Sequence, residues 1–243
     1  MAWPEGYGRR VLAEVDSTNA EGARIAGTLA GPEWILGLRQ TAARGRRGRA
    51  WVNPPGNFAA SLVMRPSEAP EVVALRSFVA SLALYDAVSA VVGDATGLAL
   101  KWPNDVLLHG GKLAGILLES VAGHLVIGIG VNLIAAPGAE LVEPEAVQPV
   151  SLLAETGRRV APEALFEALA ASYALREAAF VAYGFAPIRE AWLSHAARIG
   201  EEIVARTGSS EHRGTFETVD ERGNLVLKTS EARRAIAAAD VFF

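Results

Sequence analysis

Apolar and polar positions along this chain switch period several times, and each switch marks an element. Arg10-Val11-Leu12-Ala13-Glu14-Val15 reads as a strand. Asp16-Ser17-Thr18-Asn19 is the turn into a helix from about Ala20 to Ala26, and Thr18 with Glu21 matches a capping box. Trp34 to Gln40 and Phe58 to Met64 are further strands, and the apolar stretch from Glu71 to Gly93 is a buried helix, because Arg76 and Asp86 interrupt it too often for a membrane span. From Leu98 the pattern shortens to strands at Leu98–Trp102, Val106–Leu108, Lys112–Glu119 and Leu125–Leu133, with turns at Gly110-Gly111 and Ala122-Gly123-His124. This predicts an antiparallel core sheet. Pro137 to Pro149 is a surface loop, Pro162 opens a long helix to Tyr183, and a shorter helix runs from about Pro187 to Ala197. Beyond Arg198, short β-like runs at Glu202–Arg206, Arg213–Val219, Leu225–Lys228 and Arg234–Ala238 alternate with turn residues, which predicts a small barrel. The expected class is α+β, a mixed or antiparallel sheet flanked by helices over residues 1–197, followed by a β-barrel over residues 198–243.

Composition removes several kinds of chemistry. The chain has no cysteine, so disulfides, zinc–thiolate sites and thiol catalysis are excluded, and its four histidines show no metal-ligand spacing. Neither a Walker loop nor a hydrolase nucleophile elbow is present. Met1-Ala2-Trp3-Pro4-Glu5-Gly6 has no basic or apolar secretory pattern, and a cytoplasmic, non-membrane protein is expected. A net charge of −4 argues against general nucleic-acid binding, whose footprint is a broad basic face.

Against that acidic background stands Ala43-Arg44-Gly45-Arg46-Arg47-Gly48-Arg49, ending close to Trp51. Four guanidinium groups within six positions repel one another unless an anion shares them, and the glycines let backbone N–H groups approach it. The run reads as a polyphosphate-closing loop, with a solvated basic segment as the plain alternative. In Lys101-Trp102-Pro103-Asn104-Asp105 the proline marks a bend that turns Asn104 and Asp105 toward a cavity. Alternation from Lys112 places Lys112, Ala114, Ile116 and Leu118 on one face and Leu113, Gly115, Leu117 and Glu119 on the other. Lys112 either pairs with an anion, Asp105 or a ligand, or snorkels at the strand end. Gly128, Gly130 and Asn132 share a face, which leaves a flat strip for a planar ligand or for a close-packed neighbour. Ser17, Thr18, Asn19 and Gln40 could read a polar ring, though capping explains Ser17 and Thr18 nearly as well.

In this order the segments Asp16 to Asn19, Gln40, Arg44 to Arg49 with Trp51, Lys101 to Asp105, Lys112 to Leu117 and Gly128 to Asn132 closely resemble the biotin protein ligases. The resemblance is dense over residues 10–135 and looser in the barrel, and lipoate-attaching relatives lack the arginine–glycine run and the Lys101–Asp105 segment. It implies the ligase fold with a Src-homology-3-like barrel, and a two-step reaction with biotin and ATP as substrates and Mg2+. Biotinyl-5′-adenylate forms first, and its biotinyl group then passes to a lysine of a biotin carboxyl carrier protein domain of a carboxylase. By resemblance, Ser17, Thr18, Asn19, Gln40, Arg44, Gly45, Arg46, Lys112, Gly115, Gly128 and Gly130 bind biotin. Arg44, Arg46, Arg47, Arg49, Trp51, Asn104, Lys112 and Asn132 hold ATP and the adenylate, while Lys112, Arg46 and Asp105 carry catalysis, with no metal ligand firmly assigned beyond Mg2+ near Asp105. The arginine run becomes a lid that orders when biotin and phosphate are both present. Ala43 departs from the family's usual glycine. About fifteen residues precede Asp16, too few for a DNA-binding domain, so a ligase without repressor function is expected; the resemblance allows a homodimer. The alternatives are a lipoate or octanoate ligase on the same fold and a non-catalytic nucleic-acid binder.

Overall fold

The computed structural model describes residues 2–138, 142–143, 145–208 and 210–243. Parts of the expected 137–149 loop, Met1 and Ser209 lie outside the described residues. The first strand, β1 (Gly8–Leu12), pairs in parallel with β2 (Glu33–Gly37), which pairs antiparallel with β3 (Phe58–Met64). Between β1 and β2 lies α1 (Thr18–Ile25). Two consecutive helices, α2 (Pro70–Ala74) and α3 (Arg76–Val92), then lead to the meander β4 (Leu98–Lys101), β5 (Asp105–Leu108), β6 (Gly111–Val121) and β7 (His124–Val131). The seven strands lie in the order β1-β2-β3-β7-β6-β5-β4. The antiparallel meander is as expected, and the parallel β1–β2 pair makes the whole sheet mixed.

Alternation along β7 sorts the two faces. Leu125, Ile127, Ile129 and Val131 join the main core, where α3 and the long α5 (Pro162–Tyr183) pack on each other and on the sheet. Residues 70–92 are long and apolar enough to cross a membrane by composition alone, but α3 spends that apolarity on this core. Inside the same layer, Arg76 is buried and its guanidinium meets Glu177 at 2.8 Å and Glu68 at 2.7 Å, a paired charge that ties α3 to α5. The opposite face carries α1, with Gly22 close against Val63 and Val126. The cleft opens on this second face.

After α4 (Leu152–Thr156), α5 and α6 (Phe185–Leu193), the chain forms β8 (Glu202–Arg206), β9 (Glu211–Val219), β10 (Leu225–Lys228), β11 (Arg233–Ile236) and β12 (Asp240–Phe242). They make a five-stranded sheet in the order β11-β10-β9-β8-β12, which corresponds to the expected barrel. Its apolar face is continuous with the main core through Phe216, Leu225 and Val241. The Trp102 indole N–H donates to the Gly223 carbonyl at 3.0 Å, and the two parts thus meet beside the cleft.

Three local expectations are corrected. The capping box is absent: Ser17 is the N-cap, no side chain caps α1, and Glu21 pairs with Arg24 and Arg10 instead. The β5–β6 hairpin turns on His109-Gly110, both at positive φ, with Leu108 opposite Gly111, so the turn lies one residue earlier than Gly110-Gly111. The alternation drawn from Lys112 holds from Ala114 onward but fails at Lys112 and Leu113. Val106 pairs with Ala114 but Leu107 with Lys112, a β-bulge that skips Leu113 and brings Lys112 onto the face of Gly115.

Candidate active site

The cleft has a volume of about 550 Å³ and takes its floor from one register line across the sheet. Asp105 pairs with Gly115, Gly115 with Gly130, and Gly130 with Ala59, giving small residues over three strands beside one carboxylate. The next line, Leu117–Gly128–Ser61, leads to the start of α1. The glycines make room for side chains of this chain. A Cβ on Gly130 would stand 2.6 Å from the Trp51 indole, one on Gly115 would stand 3.3 Å from the same ring, and one on Gly128 would strike Asn19. The expected flat strip exists, and Trp51 lies on part of it.

At one end is a polar corner. Gln40 Oε1 accepts from the Thr18 backbone N–H at 2.8 Å and lies 3.2 Å from Thr18 Oγ1. Ser61 Oγ is 2.8 Å from Thr18 Oγ1 and 2.6 Å from Asn19 Oδ1, while Asn19 donates to Glu119 at 2.6 Å. Thr18 is therefore engaged with the cleft and not with the helix end, and Ser17, Thr18, Asn19 and Gln40 all line it. Ser61 and Glu119 were not singled out in the sequence; a serine within the apolar run Phe58–Met64 was the available signal.

At the other end three charges share one point. Lys112 Nζ lies 2.8 Å from Asp105 Oδ1, and Lys101 Nζ lies 3.7 Å from Asp105 Oδ2. Burial alone would push the Asp105 carboxyl up, but the two ammonium groups outweigh it and hold the pKa below the usual value. Lys101 is buried too, and desolvation lowers its pKa despite Asp105. The Lys112 backbone bonds outward, its N–H to the Gln148 carbonyl at 2.8 Å and its carbonyl to the Val150 N–H at 3.0 Å, which is why β5 cannot keep it in step. Close by, Asn104 donates to the Ile116 carbonyl at 2.6 Å and accepts from Arg46 at 3.3 Å. Asn132 is buried with Oδ1 unpartnered, and the buried Trp51 Nε1 lacks an acceptor, among the described residues. Such atoms favour a polar ligand.

The arginine run is a closed hairpin. Gly45 N–H donates to the Arg49 carbonyl at 2.7 Å, Trp51 N–H to the Ala43 carbonyl at 3.1 Å, and one turn at Arg46–Gly48 reverses the chain. Arg44, Gly45, Arg46, Arg49 and Trp51 line the cleft; Arg47 alone of the expected residues does not. Asp240, Val241 and Phe242 of β12 also line it, a contribution from the barrel that the sequence reading missed. Asp105 faces two lysines, and no cluster of three metal-ligating side chains occurs among the described residues.

Fold and cleft together define the class: an α+β ligase-type domain, with cations over a glycine-floored slot, joined to a Src-homology-3-like barrel. The sequence model of the biotin/lipoate A/B protein ligase family matches residues 11–132, and that of the biotin protein ligase C-terminal domain matches residues 199–243. The chain is 53% identical to the biotin–(acetyl-CoA-carboxylase) ligase of Paracoccus denitrificans over 238 residues, covering 96% of this chain and 99% of that one. A ligase of the same description from Mycobacterium tuberculosis is 32% identical, with 95% and 87% covered. This chain belongs to the biotin/lipoate A/B protein ligase family. Its fold is similar to that of the biotin protein ligase from Aquifex aeolicus in complex with biotin and ATP, with a TM-score of 0.82, 24% identity, and 96% and 97% of the two chains covered.

Proposed function

We propose that the chain is an ATP-dependent biotin protein ligase that modifies a biotin carboxyl carrier domain of a carboxylase; the related biotin–(acetyl-CoA-carboxylase) ligases are named for joining biotin to such a carboxylase. The observation that carries this reading is the Lys112 ammonium, delivered by the bulge to one cleft beneath the arginine hairpin. In the first step a biotin carboxylate oxygen bonds to the α-phosphorus of Mg–ATP, and the bond to the departing pyrophosphate breaks. Lys112 offsets the charge on the carboxylate and the phosphate oxygens, while Arg44, Arg46 and Arg49 bring those two anions together. Gln40, Thr18, Ser17 and Asn19 bind the polar ring, its apolar body rests along Gly115 and Gly128, and Trp51, Asn104 and Asn132 frame the nucleotide. In the second step the carrier lysine amine bonds to the biotinyl carbonyl carbon and sheds a proton, and AMP leaves. We place the boundary between catalytic domain and barrel at residues 197 and 198 and assign the protein to the cytoplasm, where ATP and carrier are available.

Incubation with biotin, Mg–ATP and a carrier domain, followed by mass spectrometry, should find biotin on one carrier lysine. Pyrophosphate exchange that responds to lipoate and ignores biotin would overturn the assignment. Arg46→Gly removes a guanidinium that lies between Asn104 and Asp240 at the edge of the cleft. It should speed adenylate loss about tenfold or more and label nearby lysines indiscriminately, since a charge-assisted contact is given up; an unchanged adenylate dissociation rate would remove Arg46 from the clamp.

A further inference from the structure

The four hairpin arginines are not equivalent. Arg44, Arg46 and Arg49 line the cleft and Arg47 does not, yet Arg47 has a left-handed backbone, φ 57 and ψ 26. A non-glycine residue keeps that conformation only where its surroundings hold it. Backbone bonds from Gly45 N–H to the Arg49 carbonyl and from Arg49 N–H to the Arg46 carbonyl close the turn around Arg47, and its side chain is held by Asp240, the first residue of β12, whose Oδ2 receives Arg47 Nη1 at 2.5 Å. The same carboxylate stands 3.9 Å from Arg46 and 3.8 Å from Arg49. On their other sides Arg46 reaches Asn104 at 3.3 Å and Arg49 reaches Glu143 at 2.7 Å.

The distances are graded. The Arg47 contact is a charge-assisted hydrogen bond, whereas those to Arg46 and Arg49 are attractions beyond hydrogen-bonding range, which a closer anion can take over. Without Asp240, the clustered guanidinium groups would push the turn open. Building on the ligase reading, the geometry points to Asp240 as a positioning residue for adenylation: it latches the hairpin through Arg47 and leaves Arg46, held at 3.3 Å by the neutral Asn104, poised to pass to the phosphates. Arg47 thus serves as an anchor in place of the direct ATP contact expected from the sequence. The barrel, through one carboxylate, becomes part of the nucleotide site.

Wild type, Asp240→Asn, Arg47→Gln, the double variant and Asp240→Glu are compared for biotin-dependent pyrophosphate exchange, biotin affinity and loss of bound biotinyl-adenylate. Each single neutralisation should raise the KM for ATP and the rate of adenylate loss about tenfold with biotin affinity unchanged, and the double variant should be no worse than either, the signature of a coupled pair. Asp240→Glu should recover most of the loss. The half-exposed Arg47 carries the same test if Asp240→Asn does not fold. An unchanged KM and adenylate lifetime, additive single effects, or tighter ATP binding in Asp240→Asn would each overturn the latch, the last by making Asp240 a competitor of phosphate. A wild-type chain without biotin-dependent exchange would instead overturn the ligase reading itself.

Discussion

Lys112→Ala should abolish biotin-dependent pyrophosphate exchange, with a fall of about 10³-fold or more, because the removed cation faces charge that grows as the first step proceeds. The bulge puts its ammonium on the Gly115 face, 2.8 Å from Asp105, inside the cleft that the arginines cover. Lys101, the other ammonium beside Asp105, is buried on the far oxygen of that carboxylate and cannot take its place. Lys112→Arg keeps the charge but carries a planar fork in place of a compact ammonium, so it should recover only part of the activity. Transfer from synthetic biotinyl-adenylate provides the control. That half-reaction bypasses the first step and should fall much less than exchange does. Near-normal exchange in Lys112→Ala would remove Lys112 from the mechanism.

How far the site was legible in the sequence depended on the range of the forces involved. Phe58–Met64 and Pro162–Tyr183 have the bounds expected from pattern, since an apolar run between turn residues and a proline-opened helix are local signals. The cleft residues were legible as motifs, and all but Arg47 line one cavity. What failed was non-local. Strict alternation gave Lys112 the wrong face because the bulge depends on backbone bonds to Gln148 and Val150, some forty positions later. Thr18 fitted a local cap, but Gln40 and Ser61 offered it partners brought in by β2 and β3. Asp240 belongs to a three-residue strand too short to stand out, and its hydrogen-bond partner Arg47 lies 193 positions earlier. Glu119 and Lys101 likewise acquire meaning only once the strands are side by side.

Asp105→Asn should cost stability as well as activity, and the pH dependence of the loss identifies the cause. In the native cleft Asp105 is buried with Lys112 on one oxygen and Lys101 near the other, and its pKa lies below the ordinary 3.8. A carboxyl with a depressed folded pKa contributes stability above 3.8, and that stability is lost as pH falls through the folded value. Amidation removes this acid limb and leaves two ammonium groups facing each other, a change of the kind that costs about 3–5 kcal/mol when a buried pair is broken. Lys101 already has a folded pKa below its ordinary 10.5, with burial as the main cause and Asp105 as the chief opposing influence. Without that anion its charge is harder still to keep, so the variant binds fewer protons folded than unfolded. Its stability should therefore rise with pH, from neutrality toward 10.5, more steeply than that of the wild type. Urea unfolding at a series of pH values reads this slope directly. Parallel wild-type and variant curves would mean that Asp105 does not hold the two lysines. If they diverge as expected, pairing Asp105→Asn with Lys101→Met should recover part of the lost stability while exchange activity stays low, because Lys112 would still lack the carboxylate that aims it.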